Sequence, residues 1–150
     1  MVGNPKTAGC RLPVGLKKTR PGIQKHRERR LDMSAKIKEI VEKVNAAFAE
    51  NNPEGFLSFC ADDVKWTMVG NKPVNGKEAI RQWLATMDCE PPEFTVDNLI
   101  AEDDVVVAHG DMTMKDKGGK RVPYSYCDIY RFRDEKIIEL RSFVTKTEGN

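Results

Sequence analysis

Residues 123–132 read P-Y-S-Y-C-D-I-Y-R-F, a strand-like run in which Tyr124, Tyr126, Tyr130 and Phe132 recur at even spacing around Asp128. Alternate residues of a strand share a face, so this pattern sets one carboxylate in the middle of an aromatic surface. A buried carboxylate loses hydration; it must reach water, find a donor or take up a proton. Upstream, Gly118-Gly119 reads as a two-residue hairpin turn, because glycine takes positive φ without strain. That turn joins a strand from Val105 to Met114 to one from Val122 to Phe132 and sets a register. Asp128 then faces His109, Tyr126 faces Asp111 and Tyr130 faces Val107, with opposed Cβ atoms ~4.5–5.5 Å apart. A histidine held by a carboxylate makes a base or acid near neutral pH. The same pair also reads as a packed sheet histidine with its partner, and Asp111 as a solvated strand-end residue.

The preceding sequence is helical at first. Ile37, Ile40, Val41, Val44 and Phe48 form one helical stripe, with Ser34 as its N-cap. Asn52-Pro53 starts a second, short helix carrying Phe56, Leu57 and Cys60. Val64, Trp66 and Met68 alternate as in a strand. A third helix opens near Asn75-Gly76, where Asn75 and Glu78 have capping-box spacing, and carries Ile80, Trp83, Leu84 and Met87. Pro91-Pro92 ends helix formation. Strands follow from Phe94 to Ile100, through the hairpin, and from Ile137 to Val144. Helices first and an antiparallel sheet after them predict an α+β domain.

The 150 residues suit one domain, predicted over 33–150. Residues 1–32 hold nine Lys/Arg against Glu28 and Asp32, three prolines and four glycines, and predict a disordered basic tail or leader. K-H-R-E-R-R (25–30) lacks the aromatic interleaving of a nucleic-acid surface, which argues against that partner. No apolar run approaches the ~20 residues that cross a bilayer. Cys10, Cys60, Cys89 and Cys127 form no C-x-x-C pair, so neither a metal site nor a redox dithiol is expected, and the chain reads as reduced and cytoplasmic.

Three segments together carry a family resemblance: F-L-S-F-C-A-D-D-V-K-W-T-M-V-G (56–70), V-N-G-K-E-A-I-R-Q-W-L (74–84) and Y-C-D-I-Y-R-F-R-D-E-K-I-I-E-L-R-S-F (126–143). The chain resembles the SnoaL-like and ketosteroid-isomerase-like proteins of the nuclear-transport-factor-2-like superfamily across residues 35–147. The resemblance implies a cone: a curved antiparallel sheet of the cystatin-like kind wrapped around three N-terminal helices, enclosing an apolar pocket. Asp128 matches the oxyanion-hole Asp of the isomerases, a known case of a carboxylic acid kept protonated by an apolar site. Met68 stands at the position of their general base and Val44 at that of their catalytic Tyr. A methionine cannot abstract a proton and a valine cannot donate one, so a true steroid isomerase is excluded. The residues of limonene-epoxide-hydrolase-like enzymes are also missing, with Tyr126 and Ser142 in their places.

The expected site therefore combines Asp128 and His109 as catalytic candidates with Tyr126, Tyr130, Trp66, Met68, Asp111 and Ser142 as ligand-binding candidates, without metal or cofactor. The expected ligand is a small apolar, carbonyl-bearing or polycyclic molecule. The domain is either an acid–base enzyme of isomerase, cyclase or lyase type or a non-catalytic binding or assembly module. Met112, Met114, Cys127 and Ile129 are expected to form an apolar outer sheet face through which two copies associate.

Overall fold

A computed structural model describes residues 21–87 and 90–148. The elements run α1 (Pro21–Ala49), α2 (Pro53–Leu57), β1 (Cys60–Met68), β2 (Val74–Asn75), α3 (Lys77–Ala85), β3 (Glu93–Phe94), β4 (Asn98–Glu102), β5 (Val105–Lys115), β6 (Arg121–Arg133) and β7 (Lys136–Lys146). They form one curved, unclosed sheet in the order β2-β1-β7-β6-β5-β3, with β4 also paired to β5. All pairs are antiparallel except β1 with β7, which is parallel. The helices pack on one face of it, giving the expected α+β architecture.

The stripe of α1 does what its spacing predicts: Ile37, Val41 and Val44 have no exposed surface. The helix starts at Pro21, however, not at a Ser34 cap. Residues 21–32 thus continue the helix, contrary to the tail reading, while 1–20 lie outside the described residues. Ion pairs from Arg30 to Asp103 (3.3 Å) and from Lys36 to Glu135 (3.4 Å) hold its exposed turns over the sheet's hairpins. In α2, Asn52 Oδ1 accepts the Gly55 amide at 2.9 Å and Pro53 sits in the first turn, as expected. Cys60 opens β1 instead of closing α2. The Asn75–Glu78 capping box does not form. Asn75 pairs with Lys65 in the sheet, Gly76 is the cap at φ 88°, and Glu78 binds Arg81.

The β5–β6 hairpin differs by one residue from its sequence reading, and much follows from that. Lys115 pairs with Arg121, leaving a loop in which Asp116 N–H donates to the Lys120 carbonyl at 2.9 Å. Asp116 Oδ1 accepts the amides of Gly118 and Lys120, both at 2.9 Å, and Gly119 takes φ 78°. Three residues turn the chain, not two, the form in which a left-handed residue follows a tight turn. Ala108 therefore stands opposite Asp128, and His109 opposite Cys127. Tyr126 faces Gly110 and Tyr130 faces Val106. A one-residue slip moves a whole strand's side chains to the other face.

The strand expected from Phe94 to Ile100 is interrupted at 95–97. Thr95 N–H and Asp97 N–H still bond to Asp111 and His109 carbonyls, at 2.9 and 2.8 Å, where the register against β5 shifts by one residue. There the Thr95 carbonyl comes so near that a Cβ on Gly110 would lie 2.0 Å from its oxygen. Only glycine fits β5 at that point.

Rows of inner-facing residues run across the sheet. One row holds Trp66, Leu140, Tyr130, Val106 and Ala101; the next holds Met68, Ser142, Asp128, Ala108 and Leu99. The core lies between these rows and the helices. A chain of ring contacts ties the layers: Phe48 to Phe56 (4.8 Å), Phe56 to Trp66 (5.4 Å), and Trp66 to Trp83 (5.0 Å, edge-on).

Candidate functional site

The inner face brings six of the eight expected site residues together: Asp128, Tyr126, Tyr130, Trp66, Met68 and Ser142. It separates the other two. His109 is exposed on the outer face, with Nδ1 3.4 Å from Asn98 Nδ2. Asp111 is also exposed there, accepting a 2.5 Å hydrogen bond from Ser125 Oγ. The His109–Asp128 pair does not exist, because the three-residue loop puts the two side chains on opposite faces of the sheet.

Asp128 sits between Tyr126 and Tyr130 along β6, with Ser142 across from it on β7. Burial pushes its carboxyl up from 3.8 to about 6, and a hydrogen bond with the Ser142 hydroxyl opposes that rise. The residue as a whole is only partly buried. Ser142 is itself buried at 4 % exposure, and its Oγ accepts the Trp66 indole N–H at 3.1 Å. The serine therefore takes a hydrogen bond from one side and meets the carboxylate on the other.

The two tyrosines differ. Tyr126 donates its hydroxyl to the Thr95 carbonyl at 2.7 Å, which fixes the ring beside the gap in the edge strands. Burial, with Asp128 as the next cause, pushes it up to about 12. Tyr130 is fully buried and its hydroxyl has no hydrogen-bond partner among the described residues. Burial and the nearby Asp128 charge hold it well above the usual tyrosine range. Both remain neutral hydroxyls at physiological pH.

At the β1 end of the sheet a cavity of about 330 Å³ is lined by Trp66, Met68, Asn71, Lys72, Val74 and Trp83. Met68 and Ser142 lie between this mouth and Asp128 in the same row. Trp66 and Met68 are the wall residues expected from the sequence; Trp83, expected only as part of the third helix's stripe, and Asn71 and Lys72 join them. A signal for the last two was present: the segment G-N-K-P (70–73) follows a strand with inward-facing Trp66 and Met68, so it must lie at the rim.

Among the described residues no three His, Cys, Asp or Glu side chains gather as a metal-ligand set. Cys60 and Cys127 are free thiols; Cys10 and Cys89 lie outside the described residues. No described helix is long and apolar enough to cross a membrane.

With this geometry in place, comparison with known proteins is decisive for the family. A model of the SnoaL-like domain matches residues 41–140, the span from the core turns of α1 to the middle of β7. The chain belongs to the SnoaL-like domain family. Among curated proteins, none matches. Among solved structures, an NTF2-like protein of unknown function from Cytophaga hutchinsonii ATCC 33406 is 26 % identical with a TM-score of 0.61, over 73 % of this chain and 99 % of that one. An LEH-like epoxide hydrolase from M. tuberculosis is 17 % identical with a TM-score of 0.67, over 75 % and 85 %. A candidate SnoaL-like polyketide cyclase from Jannaschia sp. CCS1 is 19 % identical with a TM-score of 0.68, over 74 % and 86 %. The last two likenesses are of fold. This SnoaL-like domain therefore has the NTF2-like architecture that the sequence resemblance implied.

Proposed function

We propose that this SnoaL-like domain binds a small, largely apolar molecule on the inner face of the sheet and exchanges a proton with it through Asp128. The observation carrying this reading is a carboxyl on the inner sheet face, in the same row as Met68 of the cavity wall and raised to about 6 by burial. A general acid or base works best when its pKa is near the working pH. Above pH 6 the ionised group accepts a proton, for instance from a carbon next to a carbonyl; below it, the acid form donates one. Ser142 holds the carboxyl in place. Tyr126 donates its hydroxyl to Thr95 and the Tyr130 hydroxyl is fully buried, so neither is assigned to the ligand, and no cofactor is invoked. The fold-level likeness to a polyketide cyclase and an epoxide hydrolase supports a small organic ligand. His109 and Asp111 have no part in this chemistry.

The test uses 2-tetralone, a flat ketone with exchangeable α-protons, incubated with the protein in deuterated buffer and followed by NMR. Exchange faster than in buffer, lost in Asp128→Asn, supports the proposal; exchange unaffected by the substitution overturns it. The non-catalytic reading is favoured by Met68, a side chain without a transferable proton on the inner face. It predicts that native mass spectrometry finds a cavity ligand that the protein leaves chemically unchanged.

Two further elements belong to this proposal. Ile100, Val107, Cys127, Ile129 and Phe143 share the outer sheet face, with Ile100 61 % and Phe143 38 % exposed. An apolar face of this kind suits pairing of two copies. Met112 and Met114, expected there, lie on the inner-face side instead, for the same register reason as His109. The free Cys60 and Cys127 thiols suit a reducing compartment such as the cytoplasm.

A further inference from the structure

The cavity mouth differs in chemistry from its interior. Trp66, Trp83, Met68 and Val74 form apolar walls, the two indoles packed edge-on at 5.0 Å. Lys72 stands at the rim beside Asn71. The neighbouring cations of α3 have carboxylate partners, Lys77 in Asp62 and Arg81 in Glu54. Among the described residues no carboxylate pairs with Lys72. A cation at the lip of an apolar slot attracts an anion strongly, because low-dielectric walls focus its field.

We infer that the ligand is a flat apolar acid of one or two rings, bound with its anionic group at Lys72 and its ring system against the touching Trp66–Trp83 pair. Three observations support this. The volume, about 330 Å³, lies at the lower end of the ~300–1,000 Å³ of small-molecule pockets and suits a small ring system. Two indole surfaces favour a flat, aromatic partner. Charge fixes the orientation: an anion inserted inward would approach the Asp128 carboxylate across Met68 and Ser142, whereas at the mouth it meets the ammonium of Lys72. The inference rests on the ligand-binding reading above and narrows it from an apolar molecule to an apolar acid with its polar end outward.

A matched pair of probes tests it: 2-naphthoic acid and 2-naphthamide, which share rings and shape but differ in charge. Binding is read from quenching of the Trp66 and Trp83 fluorescence in the wild type and in Lys72→Gln. The acid is expected to bind about fivefold more tightly than the amide, the upper range for one solvated charge pair. In Lys72→Gln the preference disappears while amide affinity stays unchanged, and Trp83→Ala weakens both probes. Equal affinity for the two probes, or a preference that survives Lys72→Gln, overturns the acid assignment but leaves the ligand-binding reading standing. Saturable binding of neither probe overturns both.

Discussion

Asp128 and Ser142 occupy facing positions on β6 and β7, and the serine hydroxyl meets the carboxyl on one side while holding the Trp66 indole on the other. The hydroxyl opposes the rise of Asp128, so Ser142→Ala is expected to raise the Asp128 pKa further above about 6. It also strips the buried Trp66 N–H of its acceptor, costing about 1–3 kcal/mol of stability. Carbon-13 NMR of the Asp128 carboxyl against pH, together with urea unfolding, reads both effects. A pKa that falls in Ser142→Ala would remove the serine from this role.

Asp128 makes stability depend on pH in an unusual direction. Its folded value is about 6 against an ordinary 3.8, so between these values the folded protein keeps a proton that the unfolded chain has released. Stability from this group is full below the lower value and is lost as pH rises through the upper one. At pH 8 the ionised carboxylate costs about 2 kcal/mol, after discounting for the residue's incomplete burial. Asp128→Asn should therefore be more stable than the wild type at pH 8 by about that amount, with the gap closing toward pH 4. Urea midpoints at the two pH values measure the gap, and an equal gap at both would contradict the assignment.

The hairpin and the close approach of Thr95 to β5 can be probed by two glycines with different constraints. Gly110→Ala must displace the Thr95 carbonyl, since the new Cβ would sit 2.0 Å from that oxygen. A loss of about 3 kcal/mol or more is expected. Gly119→Ala meets open space and suffers only from φ 78°, a loss of about 1 kcal/mol. Thermal melts of the two variants, compared directly, are the check; similar losses would show that the Thr95 approach yields easily.

The proposed pairing of outer faces has its own readout. Ile100→Glu places a charge on the most exposed apolar side chain of that face. Light scattering coupled to size exclusion should show a two-fold lower mass for the variant than for the wild type. A wild-type protein that is already monomeric at micromolar concentration would end that proposal.

Much of the fold could be read locally. The α1 stripe, the Asn52 cap and the alternation of β6 depend on residues a few positions apart, and the structure reproduces them. The misreadings each arose where a distant partner decides. Gly118-Gly119 allows a two-residue turn, but Asp116 Oδ1 captures the Gly118 and Lys120 amides and closes a three-residue one. Asp116 stands two residues before Gly118 in the sequence, and Asp favours the first position of such turns, so a local signal for this loop is present. The interruption at 95–97 had none. It depends on the Thr95 carbonyl meeting Gly110 and the Tyr126 hydroxyl.

By itself, the sequence determined that Asp128 shares a strand face with Tyr126, Tyr130 and Phe132, because side-chain alternation is a property of the extended backbone. It also carried the family and the α+β order of elements. The tertiary structure alone decided what stands beside Asp128. Ser142 comes from another strand and Trp66 from a third, parallel to the second, and Ala108 takes the place expected of His109. Register across strands is set by how loops close and which faces bury, and one residue of difference there reverses a strand's faces while leaving its own alternation untouched.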